Sequence, residues 1–288
     1  MISSNAIMES LALDLGWPSY QQSMVECWQG SERSQQQDYI AEEVPVSLVY
    51  NGIPHVVMLA TPTNLEEFVL GFSVTEGIID NAQELLSVKR YNRSNGIEMQ
   101  CKIPPERFSC LADKGRNLTG RTGCGLCGAS TLQQAIREPK PVSGELSLEA
   151  TELLAAVADI KQRQQLNQLT GSVHAAAWAV PGQGLIALRE DVGRHNALDK
   201  LIGLLVRNKT DFSTGFVIVT SRASYEMVQK ATAVGITLLA AISAPTGLAI
   251  RLAEQSGLTL IGFARDERYV VYTHHYRLTH PQNITLIQ

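Results

Sequence analysis

Gly215-Phe216-Val217-Ile218-Val219-Thr220-Ser221-Arg222-Ala223-Ser224-Tyr225-Glu226-Met227 is the stretch on which the reading of this chain turns. Its short apolar run, bounded by Gly215 and Ser221, predicts a strand buried on both faces. Residues 225–234 then predict a helix, 236–242 a second buried strand, 246–256 a second helix and 258–263 a third strand. Strand, helix, strand, helix, strand in such short steps predicts parallel pairing with right-handed crossovers. Sheets of this kind bind ligands beyond the carboxyl ends of their strands. Here those ends are Ser221-Arg222-Ala223-Ser224, Ser243-Ala244-Pro245-Thr246 and Phe263-Ala264-Arg265.

The first of these ends opens a helix, so the hydroxyls of Ser221 and Ser224, backbone N–H groups and the Arg222 guanidinium converge where an anion is favoured. The competing reading pairs Arg222 with Glu226 four residues on, an interaction of about 0.2–0.5 kcal/mol. Neither Gly-x-Gly-x-x-Gly nor Gly-x-x-x-x-Gly-Lys-Ser/Thr occurs, which removes support for ordinary dinucleotide dehydrogenases and P-loop enzymes. Just upstream, residues 190–200 gather Glu190, Asp191, Arg194 and His195 at a helix start. His195 suits phosphate orientation, proton transfer or metal ligation. The alternative is a capped helix whose Asp191 pairs with Arg194. His174, beside Trp178 and three alanines, reads as a satisfied buried histidine in a hairpin that turns at Gly182-Gln183-Gly184.

Farther out, residues 148–166 carry Leu153, Leu154, Val157, Ile160 and Leu166 at helical spacing and predict an amphipathic helix. Residues 139–144 read as a linker and 129–136 as a short helix. Toward the N-terminus, residues 44–50 and 53–60 flank Asn51-Gly52, the signature of a hairpin with a type I′ turn. Asn64 is the expected N-cap of a helix that stops near Gly77. A second strand pair is expected around Asn95-Gly96, then a loose connection over 104–117. The Gln- and Ser-rich residues 1–38 show no sustained period. The organisation expected is therefore an irregular leader (1–38), a strand-rich lobe (39–117), a cysteine loop and linker (118–145) and an α/β domain (146–288).

Within that linker region lies Gly120-Arg121-Thr122-Gly123-Cys124-Gly125-Leu126-Cys127-Gly128, with two of the chain's five cysteines. Four glycines keep the backbone adaptable and the thiols uncluttered. A sulfur nucleophile must be thiolate, and Arg121 together with the Cys-x-x-Cys spacing favours that form. Three chemistries share this spacing: a redox dithiol, half of a zinc site, and a persulfide carrier. A structural zinc would need two further ligands, and only isolated histidines are on offer. Zinc deaminases pair His-x-Glu with a later Pro-Cys-x-x-Cys. In this chain His174 is followed by Ala176 at that spacing and no proline precedes Cys124, so the deaminase acid is missing.

The composition is that of a globular chain, 44% apolar and 18% charged over 288 residues. Net charge of −4 argues against a nucleic-acid binder driven by phosphate neutralisation. No apolar run reaches membrane-spanning length, and the first 13 residues lack the pattern of a secretory signal. An odd cysteine count, with Cys27, Cys101 and Cys110 scattered, fits a reducing compartment. The expectation is a cytoplasmic protein.

With these segments in view, the chain resembles the FdhD family of sulfur carriers needed for formate dehydrogenase activity. The resemblance runs over roughly residues 40–275. It is carried by Glu42-Glu43-Val44-Pro45-Val46, Leu70-Gly71-Phe72 with Thr75-Glu76-Gly77, the Arg121 to Gly128 loop, His174 to Trp178, Glu190 to His195, Ser221 to Met227, and Tyr272-Thr273-His274. It implies a cytidine-deaminase-like three-layer α/β fold without deaminase chemistry. It also implies that Cys124 takes persulfide sulfur from a cysteine desulfurase, with Cys127 assisting. The sulfur would pass to the molybdenum of a bis(molybdopterin guanine dinucleotide) cofactor before that cofactor enters formate dehydrogenase, with no metal held by the carrier itself. The family's cofactor-binding stretch corresponds to Phe263-Ala264-Arg265-Asp266-Glu267-Arg268, where Asp266 and Glu267 depart from a more basic pattern. Guanine-nucleotide phosphates are expected near Ser221 and Arg222. A homodimer is expected from the frequency of two-fold assemblies.

Overall fold

The computed structural model describes residues 16–115 and 139–280. Cys124, Cys127 and the helix expected over 129–136 lie outside the described residues. The predicted alternation appears as strands β10 (Phe216–Val219), β11 (Leu238–Ala241) and β12 (Thr259–Arg265), paired parallel. Helices α6 (Tyr225–Ala233) and α7 (Gly247–Ser256) connect them. Antiparallel neighbours extend the sheet on both sides. These are β13 (Arg268–Val271) beside β12, and β8 (His174–Val180) followed by β9 (Gly184–Asp191) beyond β10, in the order β13-β12-β11-β10-β8-β9.

Side chains of one strand alternate between two cores, because successive residues point to opposite faces. Val217, Val219, Leu239 and Ala241 join one core with α6, α7 and α5 (Arg194–Arg207). Phe216, Ile218, Leu238 and Ala240 join the other, which α3 (Ala150–Arg163) covers. The sheet is thus sandwiched between helices, and its unbroken apolar strands follow from burial on both faces. The helix expected over 148–166 starts later, since Leu148–Glu149 form the short strand β7 paired with Leu278–Thr279, and it breaks at Gln164. It continues as α4 (Gln165–Thr170), which Gly171 closes in the left-handed conformation.

A second sheet, β4-β3-β6-β5, comprises β3 (Val44–Tyr50), β4 (Ile53–Ala60), β5 (Ser87–Arg93) and β6 (Gly96–Lys102). Asn51 and Gly52 have φ of 49° and 88°, as a type I′ turn requires. The second hairpin turns one residue earlier than expected, at Ser94-Asn95, and Gly96 already pairs with Arg93. Two expectations fail here. Residues 104–117 are not a loose connection, since α2 spans Pro105–Gly115; Pro105 occupies the first helical position, where its fixed φ helps and its missing N–H costs nothing. Nor are residues 1–38 irregular throughout: β1 (Tyr20–Gln29) and β2 (Glu32–Ala41) form an antiparallel ribbon. Its Gly30-Ser31 turn places Gly30 at φ 65°.

Helix α1 (Leu65–Thr75) joins the two halves. It packs across α5 at a pair of glycines. A Cβ on Gly71 would lie 1.8 Å from the Asp199 carbonyl oxygen, and one on Gly203 1.9 Å from that of Glu67. Only glycine permits backbones to approach so closely.

Candidate functional site

The carboxyl ends of β10, β11 and β12 are tied together by backbone hydrogen bonds. Thr246 N donates to the Ala223 oxygen at 3.0 Å, and Phe263 N to the Ser243 oxygen at 3.2 Å. Ala223 and Pro245 form a parallel bridge. Residues far apart in sequence therefore share one sheet edge: Ser221, Arg222, Ser243, Phe263 and the hairpin that follows it.

Their surroundings differ. Ser221 is buried and its hydroxyl donates to the Arg222 carbonyl at 3.0 Å. The Arg222 side chain is exposed. The alternative pairing of Arg222 with Glu226 is not found; Glu226 Oε2 instead lies 2.7 Å from His195 Nε2. Phe263 adopts φ 52°, a left-handed conformation costly for an aromatic residue and of the kind that collects at functional sites. Ala264 is fully buried in the α3-side core, so its side chain is committed to packing and only its backbone faces the edge. Asp266 and Glu267, at φ 50° and 62°, form the tip between β12 and β13, flanked by the paired and exposed Arg265 and Arg268.

On the other side of β10, Ala175 N donates to Thr220 Oγ1 at 2.8 Å and Thr220 N to the Ala175 oxygen at 3.0 Å. This brings His174, the first residue of β8, to the same edge. Across from it on β9 is Asp191. The alternative reading of this segment paired Asp191 with Arg194; the structure pairs it with Lys200 at 2.7 Å, both side chains fully buried. Asp191 also accepts from Thr61 N, Gly193 N and Asn196 Nδ2. That saturated carboxylate fixes the start of α5 and so the placement of Arg194 and His195. His174 is half-buried, and its pKa is held below the ordinary 6.5 by burial and then by the neighbouring charges of Arg194 and His195. Sequence reasoning singled out His195 but missed Glu226 as its neighbour, since the two lie on different helices.

Among the described residues, no group of three His, Cys, Asp or Glu side chains is arranged to hold a metal ion. No helix among them is long and apolar enough to cross a membrane.

Residues 41–279 match the model of the FdhD/NarQ family. The chain is 48% identical to the sulfur carrier protein FdhD of Cupriavidus necator, over 98% of both chains. It is 51% identical to the protein of the same name from Xanthomonas euvesicatoria, over 86% of this chain and 89% of that one. In fold it is similar to the crystal structure of a Desulfotalea psychrophila protein provisionally assigned as a formate dehydrogenase accessory protein. That match has a TM-score of 0.71 and 23% identity, covering 91% of this chain and all of the other.

Proposed function

Because the chain belongs to the FdhD/NarQ family, we propose that it is a cytoplasmic sulfurtransferase that carries sulfur as a persulfide on Cys124 for the activation of formate dehydrogenase. The observation that carries this reading is the likeness to a named sulfur carrier over 98% of the chain, a span that includes the Cys-x-x-Cys loop. The Cys124 thiolate attacks the outer sulfur of a persulfide on a cysteine desulfurase. The S–S bond of the donor breaks, its cysteine leaves as thiolate, and a persulfide remains on Cys124. Cys127, three residues on, resolves that persulfide or assists its release.

The substrate that receives the sulfur is, in this proposal, the molybdenum centre of a bis(molybdopterin guanine dinucleotide) cofactor before its insertion into formate dehydrogenase. The sheet edge suits such a polyanion: it combines helix N-termini, the exposed Arg222, the Ser221 backbone and the strained Phe263 at the head of the Arg265–Arg268 hairpin. The three-layer arrangement with a mixed sheet is consistent with a cytidine-deaminase-like fold, and a homodimer is the assembly proposed.

Mass spectrometry after incubation with a cysteine desulfurase and cysteine tests the reading. One added sulfur atom is expected on the peptide holding Cys124, and none in Cys124→Ala. An unmodified Cys124 in the wild type under conditions where the desulfurase turns over would refute it.

A further inference from the structure

We propose that the β1–β2 ribbon of one copy of this chain lies on the outer face of the β4-β3-β6-β5 sheet of a second copy, and that two copies exchange ribbons about a two-fold axis. The inference rests on the homodimer of the proposed function and assigns its interface.

The first observation is a stripe on the ribbon that its own chain does not cover. Among the described residues, β1 and β2 pair only with each other. A two-stranded ribbon alone in water is marginally stable at best. Successive residues point to opposite faces, and Gln22 lies across from Tyr39, so Tyr20, Met24, Trp28 and Tyr39 share one face. β2 also meets α4, which leaves Met24 and Trp28 on β1 at 67% and 59% exposed.

The second observation is an open sheet face on the same chain. Val46, Leu48, Val56 and Met99 enter the core beneath α1. Alternation turns Pro45, Val57 and Leu59 the other way. Val57 and Leu59 are 55% and 52% exposed, and Leu59 lies across from the exposed Pro45.

Charge selects this face as the acceptor. The ribbon holds Glu26, Glu32 and Asp38 against Arg33. Arg33 pairs with Glu26 at 2.7 Å, so a negative surplus stays at Glu32 and Asp38. Two ribbons packed face to face would therefore bring like charges together. The outer face of the sheet has the opposite sign, with Lys89, Arg93 and Lys102 against Glu98. Arg93 pairs with Glu98 at 3.1 Å, which leaves the surplus at Lys89 and Lys102.

The area also calls for exchange in both directions. With about 3.3 Å per residue and about 4.8 Å between strands, a ribbon of 10-residue strands covers about 330 Å², and reciprocal contacts bury about 1,300 Å² in all, the size of a stable interface. A one-way contact would bury half of that and would not close. The backbone bond from Glu42 N to the Ser19 oxygen, at 2.9 Å, roots the ribbon directly before β3, beside the face that receives its counterpart.

Sedimentation equilibrium of the full chain, together with carbodiimide cross-linking of an equal mixture of light and heavy isotope-labelled chains, tests the exchange. Wild type should dimerise, and mixed-isotope peptides should join Glu32 or Asp38 to Lys89 or Lys102. Met24→Ser with Trp28→Ser should weaken the dimer by about tenfold or more. Lys89→Glu with Lys102→Glu should weaken it as well, and adding Glu32→Lys and Asp38→Lys to that chain should restore it. All these positions are exposed, and thermal melting checks that each variant is folded; if the serine variant is not, the charge exchange carries the same test. A dimer unchanged in the folded variants, or cross-links confined to single copies, overturns the ribbon exchange and moves the homodimer to another face. A monomeric wild type overturns both. Neither result bears on the carrier reading, which stands or falls on the persulfide at Cys124.

Discussion

At the scale of single residues, chemistry follows surroundings more than side-chain type. Cys101 sits in β6 with 1% of its surface exposed, and burial pushes its thiol pKa up to about 12, so it is a packed apolar group with no thiolate at neutral pH. The Cys-x-x-Cys pair has the opposite setting in sequence, with glycines and Arg121 around it. His174 offers a direct measurement. Burial and the charges of Arg194 and His195 lower its pKa against the opposing pull of Asp191. An NMR titration should place its midpoint below 6.5. Between that midpoint and 6.5 the unfolded chain binds more protons than the folded one. The stabilisation is therefore present above pH 6.5 and lost as pH falls through the folded pKa. His174→Gln should flatten that part of the stability curve; an unchanged slope would remove His174 as its source.

At the scale of elements, helix starts that look alike in sequence are built differently. Thr246 caps α7, its Oγ1 accepting from Ala249 N. Ser224 heads α6 without a side-chain bond to the backbone, and Asn64 heads α1 in the left-handed conformation, again with no such bond. Thr246→Ala should cost about 1 kcal/mol in urea unfolding, and Ser224→Ala distinctly less. Equal costs would show that the side-chain cap does not govern stability at these helix starts. The missed β1–β2 ribbon belongs at this scale too. Its Gly30-Ser31 turn was a readable hairpin signal, but the strands are mostly polar, and Met24 and Trp28 are exposed. Without a buried face there was no alternation of apolar and polar residues to detect.

At the scale of the molecule, three polar nodes lock the two sheets' halves together across α1 and α5. Glu67 of α1 receives Arg189 at 2.5 Å and also Arg207. Asp191 and Lys200 hold Thr61 through its N–H and carbonyl. Asp199 receives Lys230 at 2.9 Å and Thr75 at 2.8 Å, and Lys230 reaches Glu76 at 3.1 Å. Burial alone would lower the Lys230 pKa; the carboxylates of Asp199 and Glu76 outweigh it and hold the pKa above its ordinary value. Lys230→Met leaves the buried Asp199 uncompensated and should destabilise the fold by about 3–5 kcal/mol. Replacing Asp199 with Leu in the same chain should recover part of that loss. No recovery in the double variant would mean that Lys230 acts through something other than this pair.

Local order was enough to read the parallel βαβαβ core, because strands buried on both faces are continuously apolar and their helices carry caps and periodic faces. The three strand ends, with Ser221, Arg222 and Phe263, follow from that topology. So does the Asn51-Gly52 hairpin, since φ > 0 at both positions selects those residues. What only the tertiary structure decided is pairing at a distance: Asp191 with Lys200 rather than Arg194, Glu226 with His195 rather than Arg222, and Ala264 with the core rather than the edge. These choices depend on which helices cross at Gly71 and Gly203 and which side of the sheet a residue faces. A charged side chain has several candidate partners along the chain, and its selection is made by packing in three dimensions, where desolvation penalises every charge left alone.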